Sequence, residues 1–600
     1  MRNVLGAGES RVLAEMCELL VPGSRAIGPE HYIERLIEGM PEREEDELRA
    51  AIGLLASVSG QGTEVLAALA DSTAFGLIRR LAIEAYYGGF AAPGHTGPTG
   101  HEEIGFTTPQ TRRLHKDWSF LSERDAEPAG ADPIPDEAEV VVVGSGAGGG
   151  LIAAELAGRG HDVLLLEAGG LYPAEDHTRF ELEARHRLWW PARFAQTGDG
   201  PVALLAGRCV GGGTVINTKV AMRAAGFDLA RFDERTGLRM TPADLDPWYE
   251  LVERWLGVRK RADWTPSVHR VQRGFAALGA SLEPVRSYTD YNCSRCGACL
   301  QGCPTNAGKS ALNTFIAPAL GRGELRLRTH TTVERVLIHD GTVSGVAHRR
   351  RGVPGVVRAR VVVLAAGALN TPQILLNSPD FTGLDTPSTR LTGRTLGLHP
   401  ARLVYGRFDE PLDCHQVYPI TAHCLDHQES FVVEGTTIQD PVSFAESLVD
   451  DRGRPLWGRR LATVARDYRH WAGLLVMAGD ENTGVIELGP GGDAVISKRF
   501  SPMERARLDD GRAFAVAALR AAGAREVVWS GLSTSHVQGS APMGGDPVRS
   551  VVDPAGRSHD VAGLYVGDGS LIPASLSVNP SLTIMALAAK VAHHIAEELS

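Results

Sequence analysis

The first 118 residues carry apolar side chains at the three- and four-residue spacing of amphipathic helices. Four such rows occur, within residues 12–20, 33–40, 48–55 and 77–81. Rows of this kind are typical of helices that bury one face. No titratable cluster with metal-ligand spacing interrupts them. Residues 1–118 are therefore predicted to form a small all-α module that packs or docks and has no chemistry of its own.

A change of pattern follows this helical part. Residues 119–137 are acidic, rich in Ala and Pro, and aperiodic, which predicts a linker. Beyond it come short runs of β-branched and other apolar residues at 140–143, 163–166, 361–364 and 564–566. Uninterrupted apolar runs of this length are typical of parallel strands buried on both faces. The main body is therefore predicted to be α/β.

The first of these strands leads into a glycine-rich turn and a helix. Gly144 permits the tight turn, Gly146 with Ala147 leaves bare backbone for a pyrophosphate, and Gly149 lets the helix pack on the strand. The helix N-terminus adds free N–H groups and partial positive charge. Glu167 ends the second strand, 23 residues after Gly144. Its carboxylate suits ribose hydroxyls and would repel a 2′-phosphate, so the motif predicts a dinucleotide other than NADP.

Three later segments extend the predicted nucleotide site. They contain Gly211, Gly212, Thr214 and Asn217, then Ala366 and Gly367 after a strand, and finally Gly567 and Asp568 after another strand. The segments are spread over roughly four hundred residues, whereas a nicotinamide fold would be one compact block. This distribution predicts an extended FAD bound by a discontinuous domain.

Composition and charge exclude several other classes. The 600 residues are 43% hydrophobic and 22% charged, with a net charge of −11 and a single short basic cluster at 348–351. No positive footprint for nucleic acid is present, and no stretch has the pattern of a signal peptide or a transmembrane helix. We expect a cytoplasmic protein with no nucleic-acid partner and no transmembrane segment.

Four of the eight cysteines lie within eleven residues. Cys293, Cys296, Cys299 and Cys303 have the C-x₂-C-x₂-C-x₃-C-P spacing of ferredoxins. This spacing makes an iron–sulfur cluster one interpretation, although ferredoxins assign the fourth cysteine to a second cluster. Zinc and a metal-free loop are the alternatives. With a cluster, electrons would pass to an external carrier.

Taken together, the motifs resemble the glucose–methanol–choline (GMC) family of FAD-dependent oxidoreductases. The resemblance covers about residues 138–600 and rests on GSGAGG with Glu167, GGGTVIN, LAAGALNTPQIL, GLHP, HVQGSAPMG, and LYVGDGSLIPASLSVNPSLTIMALA. It implies a Rossmann-like FAD-binding domain (138–235, 321–399 and 546–600). This is interleaved with an α+β substrate-binding domain containing an antiparallel sheet (236–320 and 400–545). The long-chain fatty alcohol oxidase branch is most similar, and residues 1–118 resemble the small subunit of gluconate 2-dehydrogenase.

The resemblance also assigns roles to residues. It places His536 above the flavin as the base, and imidazole titrates near neutrality, as this role requires. Asn579 would lie beside it as an orienting amide that cannot act as a base. Asp568 is implied to bind the ribitol, and Pro580, Ser581 and Leu582 to face the pyrimidine edge at a helix N-terminus. Val333 completes the implied cofactor contacts. His399, in the GLHP motif, is interpreted as structural.

The expected function is FAD-dependent oxidation of an alcohol CH–OH group, with oxygen or an external carrier as acceptor. A long-chain or hydrophobic alcohol is expected, but sterol and sugar substrates stay open, as does covalent attachment of FAD. The alternatives are a sugar or sterol dehydrogenase with an iron–sulfur cluster, a flavin-dependent lyase or decarboxylase, and a non-enzymatic electron carrier or redox sensor.

Overall fold

The computed structural model describes residues 5–40, 42–57, 63–70, 72–107, 118–121, 133–190, 202–261, 263–436 and 438–600. The helices are α1 Ala7–Leu20, α2 Pro29–Gly39, α3 Glu42–Ser57, α4 Thr63–Ala68, α5 Thr73–Tyr87, α6 Gly100–Glu103, α7 Gly149–Gly158, α8 Glu181–Leu188, α9 Gly226–Thr236, α10 Pro242–Leu256, α11 Pro266–Ala277, α12 Ala317–Gly321, α13 Gly367–Leu376, α14 Pro379–Thr382, α15 Pro387–Leu391, α16 Pro441–Ser447, α17 Gly458–Arg466, α18 Pro502–Ala521 and α19 Ser581–Leu599. The strands are β1 Glu137–Val143, β2 Val163–Leu166, β3 Val202–Leu204, β4 Arg259–Lys260, β5 Glu283–Pro284, β6 Arg286–Ser287, β7 Leu325–Arg328, β8 Thr331–His339, β9 Thr342–Arg350, β10 Val353–Leu364, β11 Ala401–Arg407, β12 Ala422–Cys424, β13 Val432–Thr436, β14 Leu448–Val449, β15 Trp471–Met477, β16 Val485–Leu488, β17 Ala494–Ser497, β18 Glu526–Ser530, β19 Leu532–Thr534 and β20 Leu564–Val566.

Seven of the described strands form one mixed sheet, in the order β7-β2-β1-β10-β9-β8, with β20 also paired to β10. β7, β2, β1, β20 and the second half of β10 run parallel. The first half of β10 pairs antiparallel with β9, which pairs with β8. The carboxyl ends of parallel strands meet at one edge of a sheet. The segments that follow Val143, Leu166, Leu364 and Val566 are therefore brought to that edge.

Successive residues of β1 point into two different cores. Val140 and Val142 pack with apolar residues of α7, α10 and α19. Val141 and Val143 pack with β8, β9 and α13 on the opposite face. Because both faces of the strand are covered, polar residues cannot alternate with apolar ones, which explains the unbroken apolar run in the sequence.

Nine of the described strands form a second sheet, in the order β14-β18-β11-β15-β13-β12-β5, with β19 paired to β11 and β3. Its strands are antiparallel except for the pair of β3 with β19. The strands lie in the segments predicted for the substrate-binding domain, with one exception. β3 comes from the segment predicted for the FAD-binding domain, but it pairs with β19 and so belongs to the second sheet.

The N-terminal helices share a hydrophobic core with the second sheet and do not form a separate core. Arg79 of α5 anchors them there, with only 5% of its surface exposed. Its guanidinium donates hydrogen bonds to the backbone carbonyls of Leu456 at 2.7 Å, Ala445 at 3.0 Å and Glu446 at 3.3 Å. Burial lowers the pKa of Arg79 to about 10. The helical part is thus docked on the second sheet's domain through a buried cation.

The predicted linker is shorter at its start than the sequence indicated. Phe120 and Leu121 are buried, and the Phe120 ring contacts the Phe180 ring at a centroid distance of 5.5 Å. Two large apolar side chains in an acidic, Pro-rich stretch were sufficient to hold it on the core. Residues 122–132 of the predicted linker lie outside the described residues.

Candidate active site

The glycine turn after β1 is closely packed on three sides and open on one. A Cβ atom at Gly144 would lie 2.4 Å from the Ala365 carbonyl oxygen, and one at Gly149 would lie 2.0 Å from the Gly144 carbonyl oxygen. Gly148, which the motif did not single out, is tighter still, because its Cβ would lie 1.7 Å from the Gly567 carbonyl oxygen. A Cβ at Gly146 would meet no described atom within 4 Å. The bare backbone at Gly146 is the face left free for a ligand.

A second glycine segment closes on the first. A Cβ at Gly212 would lie 2.8 Å from Gly146 Cα, so neither loop could approach the other if residue 212 had a side chain. Gly211 has φ of 95°, a conformation that favours glycine. The Thr214 hydroxyl donates to the Gly211 carbonyl at 2.5 Å and accepts from the Ala311 N–H at 2.9 Å. These contacts fix the two loops as one glycine-lined cradle.

Glu167 lies at the end of β2 beside this cradle. Its carboxylate accepts hydrogen bonds from the Ser145 N–H at 3.0 Å, the Ser145 hydroxyl at 2.6 Å and the Gly169 N–H at 2.8 Å. Burial raises its pKa, while these hydrogen bonds oppose the rise. A carboxylate has about four lone-pair positions, so one stays available for a ligand hydroxyl.

The ends of β10 and β20 meet at a second carboxylate, Asp568. It accepts hydrogen bonds from the Gly367 N–H at 2.8 Å, the Thr371 hydroxyl at 2.5 Å and the Ser570 N–H at 2.7 Å. Gly567 precedes it and donates its N–H to the Leu364 carbonyl at 2.8 Å. Ala366 is the residue before α13. The structure therefore brings the pair Ala366 and Gly367 next to the pair Gly567 and Asp568, although about two hundred residues separate the two pairs in the chain.

The N-terminus of α19 joins the same edge. Asn217 donates to the Tyr288 hydroxyl at 2.7 Å, and that hydroxyl lies 3.3 Å from the Ser581 hydroxyl. Pro580 precedes the helix, and Leu582 is fully buried in its first turn. The helix is 19 residues long, and its free N–H groups carry partial positive charge at this end.

Val333 is placed less directly than the other predicted cofactor residues. It is buried in β8, where it packs with the core on the β9 side. β8 begins at Thr331, whose N–H donates to the Glu167 carbonyl at 2.9 Å. Val333 thus lies two residues after Thr331, the residue bonded to Glu167, and its contact with a cofactor stays a prediction.

His536 lies just after β19 with its imidazole against a second imidazole, that of His399. The two Nδ1 atoms are 3.1 Å apart, and the rings are stacked with centroids 5.0 Å apart. His399 is fully buried and has φ of 45°, an uncommon backbone conformation for a residue with a side chain. The Asp480 carboxylate holds it there by accepting the His399 N–H at 3.0 Å. Asp480 in turn pairs with the buried Lys498 at 3.0 Å.

Both imidazoles are neutral at ordinary pH. Burial lowers the pKa of His399 to about 3, with Arg231 contributing, and burial together with His399 lowers the pKa of His536 well below its usual value. Since a neutral imidazole carries one N–H, one Nδ1 donates and the other accepts. When His536 donates from Nδ1, its Nε2 holds a lone pair, and among the described residues Nε2 has no partner. In that tautomer His536 Nε2 is available to accept a proton, whereas in the opposite tautomer it carries one.

The segment that carries His536 runs beside the segment that leads to Asn579. The Gly539 N–H donates to the Gly569 carbonyl at 3.0 Å, and the Leu576 N–H donates to the Gln538 side chain at 3.4 Å. Asn579 is 7% exposed, and its Oδ1 has no hydrogen-bond partner in the described part of the chain. The two predicted catalytic residues therefore come from adjoining segments.

The cysteine cluster, Cys293, Cys296, Cys299 and Cys303, does not assemble into a metal site. None of these four cysteines forms a disulfide, and no group of three or more His, Cys, Asp or Glu in the described ranges has the arrangement of metal ligands. The geometry does not fit an iron–sulfur cluster or zinc, so the metal assignment rests on spacing alone.

A family model for GMC oxidoreductases matches residues 130–401, and a second, for the C-terminal part of GMC oxidoreductases, matches residues 489–588. The chain belongs to the GMC oxidoreductase family. Like other members, this GMC oxidoreductase binds FAD and acts on the CH–OH group of donors. The glycine cradle, Asp568 and the α19 N-terminus fit such a dinucleotide.

Relatives of this GMC oxidoreductase include an uncharacterized GMC-type oxidoreductase, y4nJ, of Sinorhizobium fredii. It is 30% identical over 496 residues, covering 76% of this chain and 94% of the relative. The long-chain-alcohol oxidase FAO4B of Arabidopsis thaliana is 28% identical over 527 residues, covering 77% and 67%. Among solved structures, pyridoxine 4-oxidase from Mesorbium loti has a TM-score of 0.58 at 20% identity, covering 76% and 99%. That last likeness concerns the fold alone.

Two features of this GMC oxidoreductase bear on its predicted site and surroundings. His399, interpreted from sequence as structural, contacts the predicted base directly. The signal was its GLHP motif, but a contact across 137 residues cannot be read from spacing. Within the described residues, no helix is both long enough and apolar enough to cross a membrane.

Proposed function

We propose that this GMC oxidoreductase oxidises a long-chain or otherwise hydrophobic alcohol to the carbonyl, with His536 as the base and oxygen as the acceptor. The observation that carries the proposal is the neutral His399–His536 pair, which leaves one imidazole lone pair free beside the Asn579 segment. The similarity to a long-chain-alcohol oxidase supports the substrate class.

His536 Nε2 accepts the hydroxyl proton of the alcohol. Its Nδ1–H stays donated to His399 before and after this transfer, so no tautomer change is needed in either ring. A positioned base of this kind contributes about 10²–10⁴-fold to the rate. Bound FAD supplies the acceptor for the hydride of the carbinol carbon. The proton and the hydride together account for the two hydrogens lost by the alcohol.

Asn579 orients the alcohol because an amide can donate to the carbinol oxygen and cannot take its proton. The partial positive charge at the α19 N-terminus favours negative charge on whatever lies against Pro580, Ser581 and Leu582. Both effects come from chain segments that are almost wholly buried. Exclusion of water from this region strengthens them.

The residue before Asn579 packs in an apolar cluster, which favours a hydrophobic substrate at this site. That residue, Val578, is fully buried in a small cluster between the two sheets' domains. The other members of that cluster are Val220, Met222, Val285 and Ile420, with Leu425 and Leu475 packed against it. An alkyl chain gains about 0.8 kcal/mol for each CH₂ group buried.

The proposal is tested by anaerobic mixing of the purified holoenzyme with a panel of alcohols while the flavin absorbance is followed. Long-chain primary alcohols are expected to bleach the flavin faster than a sterol or a sugar, and admission of air to restore the colour rapidly. His536→Gln is expected to stay yellow but to bleach about 10²–10⁴-fold more slowly. His339→Gln, at a strongly exposed histidine, is the matched control.

The outcomes separate the competing functions. If the reduced flavin recolours slowly in air but quickly with an added electron carrier, the enzyme is a dehydrogenase and not an oxidase. Light-dependent loss of CO₂ from a fatty acid that persists in His536→Gln would indicate a decarboxylase. Absence of bleaching by every alcohol would indicate an electron carrier or redox sensor and would overturn the proposal.

A further inference from the structure

Lys498, directly after β17, is a buried cation that the mechanism above does not use. Its ammonium group lies 3.0 Å from the Asp480 carboxylate, 2.9 Å from the Glu504 carboxylate and 3.0 Å from the Thr483 hydroxyl. The two carboxylates are almost wholly buried as well. A buried ion pair is weak evidence for stability, since apolar side chains of similar volume often serve equally well. What the two carboxylates hold is therefore more informative than the ion pair itself.

Glu504 attaches this ion pair to the start of α18. Its carboxylate accepts hydrogen bonds from the Ser501 N–H and, at 2.7 Å, from the Glu481 N–H. The Ser501 hydroxyl caps α18 by accepting the Glu504 N–H at 3.3 Å. One carboxylate thus fixes the helix to the loop that carries Asp480.

Asp480 is the carboxylate on the other side of the ammonium group, and it holds the segment before β11. It accepts hydrogen bonds from the Leu398 N–H at 3.0 Å and from the His399 N–H at 3.0 Å. The φ of His399 is 45°, a conformation that a residue with a side chain keeps only where its surroundings impose it. Two successive N–H groups bound by one anchored carboxylate impose it at this position.

Thr534, the last residue of β19, holds the same segment from the side of the base. Its hydroxyl donates to the Leu398 carbonyl and accepts the His536 N–H at 3.0 Å. The His536 imidazole lies against the His399 imidazole, with 3.1 Å between the Nδ1 atoms. The contacts form a closed ring, which runs through Asp480, His399, His536, Thr534 and Leu398.

We propose that Asp480 is a positioning residue for the base His536, with Lys498 as its counter-ion. By binding the backbone of the Leu398–His399 segment, the carboxylate fixes the His399 imidazole against the base. Thr534 fixes the backbone of the base to the same segment. A displacement of about 1 Å costs about 10²-fold in rate, so a group that does not touch the alcohol controls the chemical step. The inference rests on the proposed function, in which His536 takes the proton.

Two double variants of the holoenzyme test the role of Asp480. They are Asp480→Asn/Lys498→Met, called the amide variant, and Asp480→Leu/Lys498→Met, called the leucine variant. Both remove the two opposite charges, and the two side chains that replace Asp480 have the same branched shape. The amide keeps one oxygen for the two N–H groups, and Lys498→Met removes the ammonium group that would compete for that oxygen.

The amide variant is expected to bleach anaerobically with alcohol within about threefold of the wild-type rate, because it keeps the acceptor. The leucine variant is expected to bleach about 10–100-fold more slowly. The loss is expected in the rate constant at saturating alcohol and not in the alcohol concentration that gives half of it, because the base is displaced and the substrate contacts are not. Asp510→Leu, at an exposed acid of α18, is the control and is expected to bleach like the wild-type protein.

Thr534 provides a second test that leaves the buried charges in place. Thr534→Val removes the hydroxyl at nearly constant volume, whereas Thr534→Ser keeps it. Thr534→Val is expected to bleach about tenfold more slowly than the wild-type protein, and Thr534→Ser to stay within about threefold. Flavin absorbance and thermal unfolding show whether each variant is folded and holds FAD. This pair decides the question if the leucine variant fails to fold.

A further readout does not depend on turnover. The ring N–H shared by His399 and His536 is buried between two nitrogen atoms, so it is expected to give a low-field proton resonance that exchanges slowly with water. In protein containing isotopically labelled histidine, this resonance is expected in the wild-type protein and the amide variant and is expected to be missing in the leucine variant.

The inference is overturned if the folded, FAD-containing leucine variant bleaches like the amide variant, if Thr534→Val bleaches like Thr534→Ser, or if the leucine variant keeps the low-field resonance. A loss confined to the half-saturating alcohol concentration would also overturn it. Failure of the proposed function looks different, because then no alcohol bleaches the wild-type flavin at any concentration. The resonance would still report whether Asp480 holds the two imidazoles together in that case.

Discussion

The histidine pair makes a quantitative prediction about acid pH. A base with the ordinary histidine pKa of about 6.5 would be only about 3% unprotonated at pH 5, so the rate of flavin bleaching would fall roughly thirtyfold between pH 7.5 and pH 5. In this protein, burial and the neighbouring His399 lower the pKa of His536 well below that value. The base form therefore persists as the pH falls, and we expect the rate constant at pH 5 to stay within about twofold of its value at pH 7.5.

The assay is anaerobic stopped-flow bleaching of the bound flavin at saturating alcohol, measured in steps from pH 5 to pH 8. His399→Gly is the informative variant, because Gly adopts the left-handed backbone at this position and has no side-chain acceptor for the His536 Nδ1–H. Loss of one hydrogen bond that orients the base is expected to slow bleaching about tenfold. His339→Gly, at an exposed histidine, should bleach like the wild-type protein.

A thirtyfold acid loss of rate in the wild-type protein, with a midpoint near pH 6.5, would refute this reasoning. It would mean that His536 is solvated when the substrate is bound and that the buried pair is not the catalytic arrangement. Equal rates for His399→Gly and the wild-type protein would likewise remove His399 from the positioning of the base.

Three further predictions concern the cofactor cradle, the helical module and the cysteine cluster. Gly146→Ala is expected to fold normally, because the added methyl group meets only open space in the protein, but to lose bound FAD from that space. Gly148→Ala should fail to fold, since its methyl group would overlap the Gly567 carbonyl. Flavin absorbance and thermal unfolding distinguish the two, and full FAD content in Gly146→Ala would contradict the assignment of the cradle. Arg79→Met is expected to lower the free energy of unfolding by roughly 3–5 kcal/mol, because three buried carbonyls lose their donor. Arg11→Met, at an exposed arginine, is the control, and an unchanged unfolding midpoint of Arg79→Met in urea would contradict the anchoring role. Anaerobically purified protein is expected to contain neither iron nor acid-labile sulfide in stoichiometric amounts, because the four thiols do not form a ligand set; finding both would restore the iron–sulfur interpretation.

Local signals in the sequence predicted a large part of the fold. The apolar rows in the first hundred residues coincide with α1, α2, α3 and α5, since helical periodicity depends on neighbours only a few positions apart. The glycine motif likewise specified its own turn, because a strand, a turn and a helix are contiguous. Phe120 and β3 were misassigned for the opposite reason. Their partners, Phe180 and β19, lie far away in the chain. Composition alone therefore suggested a linker for Phe120 and the FAD-binding domain for β3.

In the candidate site too, the sequence predicted what depends on neighbouring residues but not the contacts between distant segments. His536 and Asn579 were predicted because each lies in a distinctive motif, but the contact of His536 with His399 depends on how β11, β19 and the GLHP segment fold together. Glu434 of β13 gave no sequence signal, because one acid in an apolar strand is typical of a solvent-facing position. In the structure it is fully buried, and neither of its carboxyl oxygens has a partner among the described residues. The cysteine spacing was a strong local pattern, but among the described residues the four side chains do not take up the arrangement of metal ligands.

The anchoring of the N-terminal helices by Arg79 has a consequence for how this enzyme changes over time. Because the helices and the second sheet belong to one polypeptide, their association does not weaken on dilution, and neither part can be exchanged for that of another protein. The carbonyls that receive the guanidinium lie in α16 and just before α17, so a substitution that moves this segment also disturbs the docking of the helices. Changes in that part of the second sheet's domain are therefore constrained by the first hundred residues, although none of these touches the reacting atoms in the proposed mechanism.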